Sequence, residues 1–265
     1  MRITYRNKNN ADYWDDRWNK AGVDNVPASD DFYPLMFVKR VIQSIRGANS
    51  NCFNVKILEA GCGSGRVMHY CIDAGFQITG IDYSSTVVEM LHDEFPEMDV
   101  FHDSILGTKF RDKTFECIFA FGLYHNFNLN DCSKALSETH RIMKDNGILC
   151  CSFRADNIQN LVIDLLKSKP ASGKAFHKLN LKKNELEELL DAASFELVSI
   201  EPVQNVPLLY HFSIFRHASQ KSKNEQLFRS SGPKLNFVGK FLQSILVRIW
   251  PEKMCNNFTA IYRKR

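Results

Sequence analysis

Between residues 57 and 66 the chain reads Ile57-Leu58-Glu59-Ala60-Gly61-Cys62-Gly63-Ser64-Gly65-Arg66, an apolar strand running straight into a turn with glycine at every second position. Few patterns restrict a fold more. Glycine takes positive φ without a Cβ penalty and lets a ligand come close to main-chain atoms. A turn of this kind, after a first strand and opening a helix, is how doubly wound α/β proteins hold a nucleotide-like cofactor. The nicotinamide-type spacing G-x-G-x-x-G does not fit. Its sixth position is Arg66 counted from Gly61 and Met68 counted from Gly63, and neither is small enough for the tight helix–strand packing required.

The remaining sequence extends the same architecture. Strands are expected near 55–60, 77–82, 99–102, 115–121, 147–153 and 195–201, with a last one from Asn257, and helical stretches follow Gly65, Ser84 and Asn130. Such alternation implies parallel pairing with crossover helices on both faces. The expected fold class is therefore α/β, a doubly wound, Rossmann-like, mostly parallel sheet. Ligands of such sheets bind at the carboxyl ends of the strands, and Glu59, Asp82, Asp103 and Tyr124 fall at or just past such ends.

Five segments, in this order and spacing, resemble class I S-adenosylmethionine (SAM)-dependent methyltransferases. They are the E-x-G-x-G-x-G loop from Glu59 to Gly65, Asp82 at the tip of the second strand, Asp103-Ser104, the stretch Phe110–His125, and Arg141-Ile142-Met143-Lys144-Asp145-Asn146-Gly147. The resemblance covers residues 50–202 and the last ten residues. It implies SAM as cofactor, with Asp82 accepting both ribose hydroxyls and Asp103, beside Ser104, meeting the adenine amino group. Glu59 would bond loop amides or a cofactor-bound water, and Arg66 the methionine carboxylate or only solvent. Gly61, Cys62, Gly63, Gly65, Tyr83, Phe121 and Gly122 complete the implied cofactor set. Asp82 has a second reading as a turn or helix-capping residue before Ser84. The chain departs from the family at Glu116-Cys117, where Asp-x is usual, and at Asn146, which replaces a turn glycine but tolerates the left-handed region.

For the transfer itself, His125 is the first candidate base, since an unperturbed imidazole titrates near neutral pH. The other reading is a structural histidine; His211 and His217 are weaker substitutes. Tyr124 either orients the acceptor or packs. The expected acceptor is an oxygen of a small-molecule, sugar or other anionic compound. Alternatives are a nitrogen- or carbon-directed enzyme, with protein and nucleic-acid acceptors included, and a non-catalytic binding partner that keeps the fold. The Asn/Asp-Pro-Pro-Tyr/Phe motif of amino-directed nucleic-acid methyltransferases is replaced by Phe121-Gly122-Leu123-Tyr124, which argues against nucleic acid. The intact glycine loop and Asp82 argue against the non-catalytic reading.

Three parts are expected: a helical extension or lid over 1–50, the cofactor domain over 51–202 plus 255–265, and a substrate-cap insertion over 203–254. In the first, Trp14 and Trp18 are either packing anchors or part of a lid, and a helix is expected to start near Asp30. Residues 201–265 carry 11 Lys and Arg against 3 Asp and Glu, within a chain of formal charge +4. A basic cap would concentrate anionic substrates; a solvated basic face is the alternative. Residues 237–250 read as an apolar-faced helix that packs on the core, lies on a membrane surface or joins a dimer. No apolar stretch reaches the ~18 residues of a transmembrane segment, and no secretory signal is visible. Eight cysteines without a C-x-x-C pair suggest reduced thiols, a cytoplasmic compartment and no metal site.

Overall fold

The computed structural model describes residues 1–6, 10–23, 33–48, 54–167, 175–220 and 234–265. The chain opens on a strand, β1 (Arg2–Arg6), then helices α1 (Ala11–Ala21) and α2 (Tyr33–Ala48). The extension over 1–50 is therefore not purely helical; Asp30 and Cys52 lie outside the described residues. Next come β2 (Lys56–Ala60), α3 (Arg66–Asp73), β3 (Gln77–Asp82), α4 (Ser85–Glu94), β4 (Asp99–His102), β5 (Phe115–Ala120) and α5 (Leu129–Ile142). They are followed by β6 (Met143–Arg154), α6 (Ile158–Lys167), β7 (Ala175–Asn180), α7 (Lys183–Ala192) and β8 (Phe195–Pro202). After β8 lie α8 (Pro207–Tyr210), α9 (Phe237–Ile249), α10 (Pro251–Met254) and β9 (Asn257–Lys264).

Seven strands form one sheet in the order β4-β3-β2-β5-β6-β9-β8. β2 lies parallel between β3 and β5, whereas β9 runs antiparallel to both β6 and β8. Alternate residues of the central strands feed two separate cores. Leu58 and Ile118 pack toward α5 and α7, while Ile57, Cys117 and Phe119 pack toward α2, α3 and α4. Burial on both faces explains why these strands read as continuous apolar runs rather than as an alternating pattern. Side-chain caps set several helix starts, as where Asn128 accepts from the Asp131 amide at 2.9 Å and Asn236 from Gly239 at 2.9 Å.

A second sheet, without counterpart in the sequence expectations, joins β1 antiparallel to β7. An ionic network fixes it to the main body. Arg154, 7% exposed at the end of β6, grips Asp164 of α6 at 2.8 and 3.1 Å and also bonds Asn180 of β7. Arg2 reaches the same Asp164 at 2.7 Å and Asp156 at 2.8 Å. Burial by itself would raise the Asp164 carboxyl, but the hydrogen bonds and charges of Arg154 and Arg2 outweigh it and hold the group below the usual carboxylate range.

The insertion between β8 and β9 has its own small core of Val206, Leu209, Tyr210 and Leu235, with Leu242 and Leu246 packed against it. The apolar face expected over 237–250 splits. Leu242 and Leu246 turn inward, whereas Phe237 is 85% and Phe241 61% exposed.

Removing Asp164 leaves two guanidinium groups without their shared carboxylate. Asp164→Ala is expected to cost about 3–5 kcal/mol in urea unfolding. Because the native carboxyl is held low, its stabilisation is complete above the unfolded-state pKa near 4 and fades as pH falls through the folded value. The gap between wild type and variant should therefore narrow in acid.

Candidate active site

The three alternating glycines all take left-handed backbone, with φ of +70° at Gly61, +52° at Gly63 and +69° at Gly65. A side chain at any of them would be strained. The turn is held down on β3: the Gly61 and Cys62 amides donate to the Ile81 carbonyl at 2.8 and 3.0 Å, and the Gly63 amide donates to Asp82 Oδ2 at 2.9 Å. Asp82 Oδ1 accepts from the Ser84 amide at 3.0 Å, so the turn-residue reading and a ligand-facing position coexist in one carboxylate.

Above this turn lies a cavity of about 710 Å³. Of the residues expected to hold a cofactor, Glu59, Gly61, Cys62, Gly63, Arg66, Asp82, Tyr83, Asp103, Ser104, Phe121 and Gly122 line it. Gly65 does not; it sits one position back, against Met98 and Leu91. Asp103 is braced by accepting from the Ser104 amide at 2.8 Å and the Lys109 amide at 3.2 Å. Glu59 is 5% exposed, and its Oε2 has no hydrogen-bond partner. Burial, with Asp82 nearby, pushes its carboxyl well above the usual range. A buried acid at the wall of a cavity, held by the Met68 backbone on one side and left with one open oxygen, suits a ligand that brings a donor or a positive charge, and SAM brings both. The glycine turn at the start of α3, Asp82 at the end of β3 and Asp103 after β4 likewise suit a nucleoside with an amino-acid tail.

Tyr124 and His125, expected beside the reacting methyl, are instead buried outside the cavity lining. Tyr124 is fully buried, stacks on Phe153 and shares a 2.8 Å hydrogen bond with Thr139. His125 is 6% exposed, and its Nδ1 has no partner. Burial, then the charges of Lys178 and Arg154, push its pKa well below the ordinary value, which keeps the ring neutral. Tyr124 is held in the core by Phe153 and Thr139, and His125 by the Ser152 backbone behind Gly122.

The insertion expected to cap the substrate contributes no lining residue among those described, His211 and His217 included. The wall comes from elsewhere. Helix α1 supplies Trp14 and Trp18, and the ring of Trp18 lies 2.9 Å from where a Cβ on Gly63 would stand. Asp15 of the same helix accepts from Ser84 Oγ and, at 3.4 Å, from the Thr86 amide, which fastens α1 to the start of α4. Asn126, Phe127, Asn128 and Asp131 line the far end together with Ala175 and Phe176 of β7. Asn126 accepts from Lys178 at 2.8 Å and donates to the Gly122 carbonyl at 2.5 Å. A buried relay also holds that loop: the Gly122 amide donates to Ser152 Oγ at 2.9 Å, Ser152 meets the Tyr33 hydroxyl at 3.2 Å, and Asn257 donates to that hydroxyl at 3.0 Å. Trp14 and Trp18, which the sequence offers as packing anchors or a lid, both line the cavity; of the residues it did not single out, those from Asn126 to Asp131 had a signal, their place past a strand end. Among the described residues no cluster of His, Cys, Asp or Glu could hold a metal.

Comparison with known proteins agrees with this geometry. Residues 57–147 match a family model described as a methyltransferase domain. A protein of Mycolicibacterium smegmatis described as a probable S-adenosylmethionine-dependent methyltransferase is 25% identical over 146 residues, which is 55% of this chain and 54% of that protein. The chain thus spans about half the length of that relative. Among solved structures, magnesium protoporphyrin IX methyltransferase of Synechocystis PCC 6803, with bound S-adenosylhomocysteine, has a TM-score of 0.57 at 11% identity, covering 96% of this chain and 98% of that one. The cyclase SpnF has a TM-score of 0.54 at 20% identity, covering 85% of this chain and 80% of its own.

Two substitutions probe the site. Asp82→Ala is expected to weaken S-adenosylhomocysteine binding, measured by calorimetric titration, by about 10- to 100-fold, the loss of hydrogen bonds to a charged group. Glu59→Gln should act oppositely on the ligand-free protein. With its folded-state pKa raised, the Glu59 carboxyl favours folding fully below its unfolded value, and that contribution is lost as pH rises through the folded one. The variant should therefore gain stability over wild type as pH is raised from 5 to 8 in thermal unfolding, an experiment in which equal pH slopes would contradict a buried acid with a raised pKa.

Proposed function

We propose that this chain, which belongs to the class I S-adenosylmethionine-dependent methyltransferase family, methylates an oxygen of a small acceptor with an apolar or aromatic body. The observation that carries this reading is the far end of the cavity, where Phe127 and Phe176 offer apolar surface and Asn126, Asn128 and Asp131 offer polar groups. The anionic character expected for the acceptor draws little support from the lining, where Glu59, Asp82, Asp103 and Asp131 stand against Arg66. We read the compartment as cytoplasmic; the seven described cysteines are buried free thiols, a state suited to reducing surroundings.

Bound SAM would supply a methyl group on a sulfonium, already activated for transfer; the S–CH3 bond breaks as the O–CH3 bond forms, the thioether leaves, and the proton of a hydroxyl acceptor passes to water. The chain's part is to hold and to exclude. The glycine turn, Asp82 and Asp103 fix the nucleoside, and Trp14 and Trp18 close one side against water. Phe121 and Gly122, braced by Ser152 and Tyr33, set the floor on which the acceptor lies. Holding two reactants in line supplies ~7–11 kcal/mol of barrier reduction, more than any single proton transfer. His125 is a positioning residue in this reading. Its ring stands behind Gly122, with Cε1 4.0 Å from where a Cβ would be, and it supports the loop without touching the acceptor.

The reading is tested by supplying SAM with an isotope-labelled methyl to phenols, hydroxy acids, sugars and peptides, then locating the label by NMR. An O-methyl product from a compound with an apolar body is expected. Label found only on nitrogen or carbon would replace the reading, and tight cofactor binding without transfer to any class would favour a non-catalytic partner. In the same assay His125→Gln is expected to change KM more than kcat and to leave the shape of the pH profile intact. A fall in kcat of about 100-fold or more, with loss of the acidic limb, is the signature of a general base and would return that role to His125.

A further inference from the structure

Helix α9 is apolar around most of its circumference, yet it is covered on one side only. Gly239, Leu242 and Leu246 face inward onto Leu235, Phe215 and their neighbours. On the other side Phe237 is 85% exposed, Val238 57%, Phe241 61%, Ile245 37% and Ile249 58%. At the helical repeat these five residues span an arc of about 120°. Ile214, 73% exposed, stands beside them, because the Asn236 side chain that caps α9 also donates to the Ile214 carbonyl at 2.6 Å. Globular helices of this composition are normally enclosed, and an exposed apolar patch rimmed by polar groups marks a site of association.

The charge beside the arc says what covers it. Lys240 and Arg248 are exposed; on the helical wheel Lys240 and Ser244 lie about 60° and about 20° outside the Phe237 edge of the arc, whereas Arg248 falls within it, between Phe237 and Phe241 at the C-terminal end of the helix. From Gln226 to Pro251 the sequence contains Arg229, Lys234, Lys240 and Arg248 and neither Asp nor Glu. With 13 residues, α9 is too short to cross a bilayer. Among the described residues no helix is long and apolar enough to do so. No described residue of the insertion lines the cavity, so the arc is not an acceptor surface.

We propose that α9 docks this protein onto the surface of an anionic lipid bilayer. The aromatic and aliphatic arc enters the boundary between headgroups and acyl chains, and Lys240 and Arg248 pair with lipid phosphates. A second copy of the chain would satisfy the apolar arc but would bring cation against cation, so charge favours lipid. This inference is independent of what the cavity methylates.

The test is co-sedimentation of the full chain with vesicles of phosphatidylcholine alone and of phosphatidylcholine mixed with phosphatidylglycerol. Binding to the mixed vesicles, weakened by salt and much weaker on the neutral ones, is expected. Phe237→Ser with Phe241→Ser should lower it by roughly tenfold or more, and Lys240→Gln with Arg248→Gln should remove its salt dependence. Binding of S-adenosylhomocysteine by every variant checks that each is folded. Absence of vesicle binding by the wild type, or binding unchanged in the double Phe variant, overturns the proposal. So does a dimer in light scattering that the Phe substitutions dissolve while vesicle binding is absent.

Discussion

The carbonyl of Ile81 and the carboxylate of Asp82 hold the glycine turn against β3, and the rest of the site depends on that grip. Three amides of the turn are spent on these two acceptors. The backbone can reach them only because Gly61, Gly63 and Gly65 accept left-handed geometry, and in doing so it turns from β2 into α3 within five residues. The turn then leaves room above it, with Glu59, Asp82 and Asp103 placed along one wall of the cavity. An unpartnered oxygen on Glu59 is a polar cost that the fold accepts at the place where a ligand can relieve it.

The cavity is walled by elements far apart in the chain. Helix α1 closes one side because Asp15 is tied to the start of α4 and Trp18 fits over the space that Gly63 leaves empty. Strand β7 closes the other, and it stays in place because it pairs with β1 and because Arg154, Asn180 and Arg2 converge around Asp164. The first twenty residues of the chain thus contribute to both walls. Cofactor holding sits on the rigid sheet, while the acceptor end rests on a smaller sheet and a loop.

The insertion after β8 is a separate device. Its small core is centred on Leu209, Tyr210 and Leu235, and none of its described residues lines the cavity. Charge over an active site concentrates an anionic substrate, and the same charge elsewhere does not. Position, not composition, separates the two roles.

Much of this protein was legible in its residues alone. The glycine spacing, the continuous apolar strands and the carboxylates past strand ends specify the doubly wound sheet and the cofactor side of the site, because each is a local pattern with a fixed backbone consequence. The short polar strands Arg2–Arg6 and Ala175–Asn180 carry no such pattern; their pairing runs from Arg2 with Asn180 to Arg6 with Ala175, far apart in the chain, and a charged network rather than periodicity holds it. The placement of His125 was equally hidden, since its sequence position beyond β5 suits a catalytic base, while its ring is buried behind Gly122 and hydrogen-bonded to the Ser152 backbone. The apolar residues of α9 were visible as a helical face, but which of them meet the core depends on the width of the core available. Local conformation follows from which backbone angles and side-chain periods a segment can adopt. Burial, and with it pKa and exposure, is a property of what folds against that segment, and only the tertiary structure decides it.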